Sequence, residues 1–209
     1  DFFSHGVLHY TMRGVIADSS NIGTVLLTRQ LNKQTLHDYL VSFGLGHTTS
    51  IELPGESAGI MPKADMPDGQ RDRVAFGQAI AVTGIQEAAA VAGIVNGGIY
   101  NPPTVIKTAT DGEGREVAVP RTPQRRVISE KSSAQVRELM QAVIDSTNGQ
   151  RNLKLDRYTS GGKTGTAQRA DTSCGCYRGY VTSFVGFAPL DDPQILTYVV
   201  ISNPRAGDT

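Results

Sequence analysis

The stretch at positions 160–168, with the sequence SGGKTGTAQ, restricts the fold of this chain more than any other. It combines glycines with a lysine and two threonines, and glycine has no Cβ, so backbone can approach a ligand closely there. In a strand, alternate side chains share a face, which places Thr164 and Thr166 on one face and Lys163 with Gly165 on the other. A strand edge that carries N–H groups, hydroxyls and a cation suits an anionic or carbonyl-bearing ligand.

Two further segments with β character follow this stretch and predict a terminal antiparallel sheet. We expect strands at 157–168, 180–188 and 195–202, with Asp191-Asp192-Pro193 as the turn between the last two. The clearest amphipathic helix, at 131–147, comes just before them. Its apolar stripe consists of Val136, Leu139, Met140, Val143 and Ile144, and Asn148-Gly149 is its expected end.

Helical signals also occur earlier in the chain. A capping box at Thr83 and Gln86 begins an Ala-rich helix at 85–96, which Gly97-Gly98 ends. Residues 1–18 are mixed in character, with Gly6 and Gly14 as breaks. The other expected elements are a helix from the Asp18–Asn21 cap to about Leu31, a helix at 34–43 stopped by Gly44, an irregular connection at 44–70, and a hairpin turn at 111–114 between 104–110 and 115–119. Together these elements predict one α/β (α+β) domain.

Composition excludes several classes of protein. The chain has 209 residues, enough for one domain with a sizeable core, and its 20 basic and 20 acidic residues give zero net charge. Zero net charge provides no electrostatic basis for binding nucleic acid, and we expect no nucleic-acid partner. No apolar run approaches the roughly 18 residues that a membrane-spanning helix needs. We also expect no cofactor.

The cysteines occur as Cys174-Gly175-Cys176, and the histidines lie far away in sequence. A structural zinc site needs about four ligands, so this pair does not indicate a metal site. The sequence leaves open whether the pair forms a local disulfide or two free thiols.

The Gly162-Lys163-Thr164 triplet also occurs in phosphate-binding loops, which require a glycine five residues before Gly162. Position 157 is Arg, so this sequence does not form that loop. Nucleotide binding is therefore not predicted.

Two short motifs together indicate acyl-transfer chemistry. Lys163-Thr164-Gly165 matches the Lys-Thr-Gly element of penicillin-recognising serine enzymes, and Ser19-Ser20-Asn21 matches their Ser-x-Asn element. Each motif alone is weak evidence for this chemistry, since Ser19-Ser20-Asn21 by itself would be only a helix cap.

The intervening sequence is more specific. The segments that resemble class B penicillin-binding proteins are Phe43–Gly46, Thr49, Ile51–Ser57, Gly59, Gly77-Gln78, Thr83, Gln86, Ala90, Ile94, Asn96–Gly98 and Phe184–Pro189. The resemblance extends from about residue 5 to 204, and the loop at 174–177 is similar to division-type, septal transpeptidases of Actinobacteria.

The resemblance implies a penicillin-binding transpeptidase or serine β-lactamase-like fold, with an antiparallel sheet flanked by helices. It implies a D,D-transpeptidase that cross-links peptidoglycan through an acyl-enzyme on a serine. Ser19 and Lys163 would then form the proton path, and Asn21 would orient the substrate. The Thr166 N–H would serve the oxyanion hole, while Thr164, Gly165 and Thr166 would bind the carboxylate of the substrate or a β-lactam.

The chain departs from this family in one respect. The acylating serine of the family lies in a Ser-x-x-Lys motif at a helix start upstream of Ser-x-Asn, and the only such match here is Ser160–Lys163. Two glycines make that match a poor helix start. We therefore expect residues 1–209 to be a partial domain, also truncated at its C-terminal end and inactive alone, whose serine lies on a companion segment.

The implied partners are D-Ala–D-Ala stem peptides, β-lactams, a septal glycosyltransferase and divisome proteins. The implied location is the outer face of the cytoplasmic membrane, with an anchoring N-terminal helix outside this chain. Two alternatives stay open, namely a non-catalytic module that binds peptidoglycan or a division partner, and a serine β-lactamase or D,D-carboxypeptidase.

Overall fold

The computed structural model describes residues 5–146, 153–171 and 173–204. Its helices are α1 (Met12–Ala17), α2 (Asn21–Thr28), α3 (Lys33–Ser42), α4 (Asp68–Val74), α5 (Gly84–Val95) and α6 (Glu130–Asp145). Its strands are β1 (Ile99–Tyr100), β2 (Ala109–Thr110), β3 (Glu116–Val117), β4 (Arg125–Arg126), β5 (Gly161–Asp171), β6 (Cys176–Ala188) and β7 (Ile195–Ser202). Across these residues, no helix has the length and apolar character needed to cross a bilayer.

The main sheet is antiparallel, in the order β5-β6-β7, and helices α5 and α6 cover one of its faces. Val185 and Phe187 of β6 are buried in the same core cluster as Val95 of α5 and Met140 of α6. Burial of apolar surface is the dominant stabilising contribution to a fold of this kind, so this cluster fixes the sheet against the helices. The arrangement is the predicted α+β one, an antiparallel sheet flanked by helices.

The pairing of β5 with β6 decides which way each side chain of the glycine-rich stretch points. Lys163 pairs with Val185, and Thr164 pairs with Phe184. Directly opposed residues share a face, so Lys163 lies on the face that carries the buried Val185, which is the helix-covered face. Thr164 and Thr166 lie on the other face, as strand alternation predicts.

The glycine pair at the start of β5 is required by aromatic rings of β6. A Cβ added to Gly161 would collide with the ring of Phe187, and one added to Gly162 would lie 2.6 Å from Cζ of Phe184. The sequence suggested that these glycines let a ligand approach the backbone. The structure shows instead that they leave room for the rings of Phe187 and Phe184. The pair therefore allows β5 to lie close against β6.

The irregular connection that precedes α4 is held by two polar side chains. Gln86 is fully buried, and its Nε2 donates hydrogen bonds to the carbonyl oxygens of His47 at 2.7 Å and Ala58 at 3.0 Å. The Glu56 carboxylate accepts from the Thr49 hydroxyl at 2.5 Å and the Thr49 N–H at 2.9 Å. The Thr49 hydroxyl is the main cause that lowers the pKa of Glu56. These contacts join the loop to the start of α5.

Several predicted elements are confirmed. The capping box is present, with the Gln86 N–H bonded to the Thr83 hydroxyl at 3.2 Å, and α5 begins at Gly84, directly after Thr83. Gly44 follows α3 with a φ of 88°, in the left-handed conformation expected of a helix stop. Strand β7 has the predicted bounds.

Other predictions were wrong in part. Gly14 was expected to be a break, yet it lies inside α1, which begins at Met12 because the Thr11 hydroxyl caps it by accepting from the Gly14 N–H. Residues 157–160 precede β5 rather than belonging to it, and β6 begins at Cys176 instead of 180. The strands at 104–110 and 115–119 are reduced to two residues each. Helix α6 ends at Asp145, and Asn148-Gly149 lies outside the described residues.

Replacing Gly161 by Ala should lower the free energy of unfolding by about 1–3 kcal/mol, because the new methyl group overpacks the site against Phe187. Urea denaturation measures this change. Gly112→Ala is the matched control, since nothing lies within 4 Å of a Cβ at that position. Equal stability of the two variants would contradict this packing of β5 on β6.

Candidate active site

Ser19 lies at a tight corner between α1 and α2, in a backbone conformation that serine rarely adopts. Its N–H donates to the Ile16 carbonyl at 3.3 Å, the Ser20 N–H donates to the Val15 carbonyl at 3.0 Å, and Ser19 has a φ of 53°. This is the Schellman pattern of a helix end, in which the left-handed residue is usually glycine. Because a side chain in that region costs about 1–2 kcal/mol, Ser19 carries backbone strain. The corner directs an exposed hydroxyl towards β5.

The middle residue of the Ser19-Ser20-Asn21 motif has a structural role. Ser20 is buried, and its Oγ accepts the Gly23 N–H at 3.1 Å, which caps α2. Gly23 lies against Val15, and an added Cβ would stand 2.6 Å from Cγ2 of Val15. Asn21 is half-buried at the first position of α2. Capping and close packing therefore fix Ser19 and Asn21 on either side of Ser20.

Lys163 reaches this corner from β5. Its Nζ donates hydrogen bonds to the Ser19 Oγ and to the Thr164 carbonyl, the latter at 2.9 Å. Burial is the cause that lowers the pKa of Lys163, because the charged ammonium loses hydration. The structure thus joins two motifs that lie 144 residues apart in sequence. An amine with a lowered pKa beside a hydroxyl is suited to accepting and passing on a proton.

Thr164 and Thr166 are half-buried on the opposite face of the same strand, next to Phe184 and Thr182 of β6. Within the part of the chain that the structure describes, β5 is an edge of its sheet. Backbone N–H and C=O groups on that edge point alternately away from β6 and can pair with an extended ligand. The site therefore combines a cation–hydroxyl pair, two threonine hydroxyls and a strand edge.

Ser160 is buried immediately before β5, and residues from Gly161 onward form strand. The Ser160–Lys163 match is therefore not at a helix start, in agreement with its rejection as the nucleophile motif. The strained backbone at Ser19 was not predicted from the sequence. Adjacent motif residues did not reveal it, because the left-handed conformation depends on where α1 ends, and α1 itself was not predicted.

Comparison with known proteins agrees with this geometry. Residues 3–209 match the family described as the penicillin binding protein transpeptidase domain. Penicillin-binding protein PbpB of Mycobacterium tuberculosis is 35% identical over 213 residues, which cover 98% of this chain and 31% of that protein. Stage V sporulation protein D of Bacillus subtilis is 37% identical over 96% of this chain and 31% of its own length.

Solved structures show the same relationship. Penicillin binding protein 3 of Mycobacterium tuberculosis, complexed with aztreonam, superposes with a TM-score of 0.91 at 32% identity and covers 99% of this chain and 48% of that one. A peptidoglycan synthetase from Bifidobacterium adolescentis has a TM-score of 0.90 at 29% identity, over 99% of this chain and 39% of its own.

The chain belongs to the penicillin-binding protein transpeptidase family and, within it, to the class B proteins. It spans about a third of the length of the curated relatives that it matches.

The conformation of Ser19 can be tested by comparing Ser19→Gly with Ser19→Ala. Both remove the hydroxyl that contacts Lys163, but only glycine is unstrained at a φ of 53°. We expect the Gly variant to unfold with a free energy about 1 kcal/mol higher than the Ala variant, measured by urea denaturation. At a position with negative φ, the Ala variant is the more stable of the two. A more stable Ala variant would therefore show that the backbone of Ser19 is not in the left-handed conformation.

The half-buried amine of Lys163 should make stability depend on alkaline pH. Because the folded-state pKa is lowered, the unfolded chain binds more protons between that pKa and the ordinary lysine value of about 10.4. The free energy of unfolding contributed by Lys163 therefore rises with pH in that window. Denaturation of the wild type and Lys163→Met across this range should give a difference that grows in favour of the wild type. A constant or shrinking difference would show that burial does not lower this pKa.

Proposed function

We propose that residues 1–209 form the substrate-binding wall of a peptidoglycan D,D-transpeptidase active site. The observation that carries this proposal is the contact between Lys163 Nζ and Ser19 Oγ beside the edge of β5. The names of the relatives support it, since one of them is the peptidoglycan D,D-transpeptidase FtsI of Escherichia coli, 31% identical over 94% of this chain. Complexes of a related structure with aztreonam and ampicillin support the binding of β-lactams.

In the proposed reaction, a serine on a Ser-x-x-Lys segment outside residues 1–209 attacks the carbonyl between the two terminal D-alanines of a stem peptide. The C–N bond breaks, the serine becomes acylated, and D-alanine leaves after its amine takes up a proton. The amine of a second stem peptide then attacks the ester and forms the cross-link, which frees the serine. A β-lactam would acylate the same serine by opening its ring.

The wall supplies the proton path for this reaction. Ser19 lies at the end of that path and delivers the proton to the leaving amine, while Lys163 holds and polarises the Ser19 hydroxyl. The lowered pKa of Lys163 brings it closer to working pH, where proton exchange with the hydroxyl is easiest. The strained corner keeps the hydroxyl on the Lys163 side of the cleft.

The remaining site residues bind the substrate in this proposal. The Thr166 N–H and the acylating serine's own N–H stabilise the oxyanion, and loss of one such donor typically costs about 2.7–4 kcal/mol of barrier height. The Thr164 and Thr166 hydroxyls hold the terminal carboxylate, and Gly165 keeps the edge between them open. The Asn21 amide orients the substrate backbone.

The test is covalent labelling by a fluorescent penicillin of this chain joined to the segment that carries Ser-x-x-Lys. We expect a long-lived adduct on that serine, and we expect Lys163→Ala to slow its formation by about 10²–10⁴-fold, as removal of a proton-transfer group does. Lys131→Ala, on the exposed face of α6, is the matched control and should label at the wild-type rate.

Other outcomes identify the alternatives. Rapid turnover of a chromogenic β-lactam would indicate a β-lactamase or D,D-carboxypeptidase instead of a transpeptidase. A folded domain that never labels would indicate a binding module for peptidoglycan or a division partner.

We further propose that the protein acts in septal synthesis, on the outer face of the cytoplasmic membrane, with a septal glycosyltransferase and divisome proteins as partners. Similarity to PbpB and FtsI supports this assignment, and an anchoring helix outside residues 1–209 would hold the domain there. A fluorescent fusion in the source cell should concentrate at the division site. Uniform labelling of the side wall would contradict the septal role.

A further inference from the structure

The hairpin that joins β5 to β6 extends beyond the third strand of the sheet. Strand β7 pairs with β6 only from Val181 to Ala188, so residues 176–180 of β6 have no paired residue in β7. Its tip carries a disulfide between Cys174 and Cys176, and both cysteines are exposed. The reaction proposed above makes no use of this disulfide.

The turn at this tip is held by groups other than the disulfide. The Asp171 carboxylate accepts from the Ser173 hydroxyl at 2.6 Å and from the Ser173 N–H at 3.0 Å, while the Asp171 carbonyl accepts the Cys174 N–H at 3.4 Å. A disulfide stabilises a fold mainly by closing a loop of chain, and only Gly175 lies between these cysteines. Structural stabilisation is therefore a poor explanation for this bond.

The surroundings favour chemical reactivity. Arg178 lies 3.7 Å from the Asp171 carboxylate, and Arg169 also interacts with that carboxylate. Two arginines against one aspartate leave the tip with a net positive charge. Nearby cations favour thiolates, and solvent-exposed disulfides are the ones that external thiols attack.

We propose that Cys174 and Cys176 form a thiol–disulfide exchange site that accepts two electrons from a dithiol in the surrounding solution. A thiolate of the dithiol attacks one sulfur, the Cys174–Cys176 bond breaks, and the released thiolate takes up a proton. The second thiol of the dithiol then attacks the mixed disulfide and releases the other cysteine. The net change converts the dithiol to its disulfide and the Cys174–Cys176 pair to two thiols.

The effect of reduction should stay at the tip. From Gly161 to Gln168 each residue of β5 pairs with β6 in register, and an irregularity in register between Gln168 and Ala170 separates this part from the tip. Lys163, Thr164 and Thr166 all lie on the regular side. The exchange site is thus independent of the proposed acyl-transfer function, and either can fail without the other.

The test is reduction by dithiothreitol of the folded domain, formed from this chain with its Ser-x-x-Lys segment, with free thiols at Cys174 and Cys176 detected by maleimide labelling and mass spectrometry. We expect two thiols to appear at a rate that does not change with urea below the unfolding transition. Hydrogen exchange should accelerate only between 169 and 178. A Cys174→Ser, Cys176→Ser double variant should show neither change.

A reduction rate that rises with urea in parallel with unfolding would overturn the proposal, because the disulfide would then react only in the unfolded chain. Faster hydrogen exchange at residues 161–168 after reduction would show that the effect of reduction is not confined to the tip of the hairpin. Arg169→Gln combined with Arg178→Gln should slow reduction, and an unchanged rate would contradict the role of the two arginines.

Discussion

The close contact of β5 with β6 is the constraint on which the site depends. Gly161 and Gly162 leave room for the rings of Phe187 and Phe184, and the register that results places Lys163 opposite Val185. Because Val185 belongs to the core between the sheet and helices α5 and α6, the lysine side chain emerges on the covered face. A side chain in place of either glycine would disturb the strand that carries every predicted binding residue except Ser19 and Asn21.

The second half of the site is fixed by helix geometry. The end of α1 and the start of α2 share a corner in which Ser20 is buried as a cap and Ser19 takes the left-handed position. A glycine would fit that position with less strain, so the serine lowers stability in exchange for a hydroxyl aimed at Lys163. Strain at Ser19, next to an amine whose pKa is lowered by burial, supports the proton path that we propose.

Much of this could be predicted from the sequence. Periodicity and caps placed α3, α5, α6 and β7 closely, and strand alternation put Lys163 and the threonines on opposite faces, since these depend on local pattern alone. The proximity of Ser19 to Lys163 came from resemblance to a family, because contacts across 144 residues are set by packing. Helix α1 was missed because it has only 6 residues and contains a glycine. Strand β5 continues past residue 168, and β6 starts before residue 180. These extensions were missed because the polar residues of the hairpin show no alternation.

We propose that the Ser19–Lys163 contact and the β5 edge together form one side of the acyl-transfer site. The most direct test is a crystal structure of the penicillin-acylated domain, formed from this chain with its Ser-x-x-Lys segment. We expect the penicillin carboxylate to lie within hydrogen-bond distance of the Thr164 and Thr166 hydroxyls, and the acyl oxygen to accept a hydrogen bond from the Thr166 N–H. A penicillin attached to any of residues 1–209, or one whose carboxylate lies away from β5, would contradict this assignment of the site.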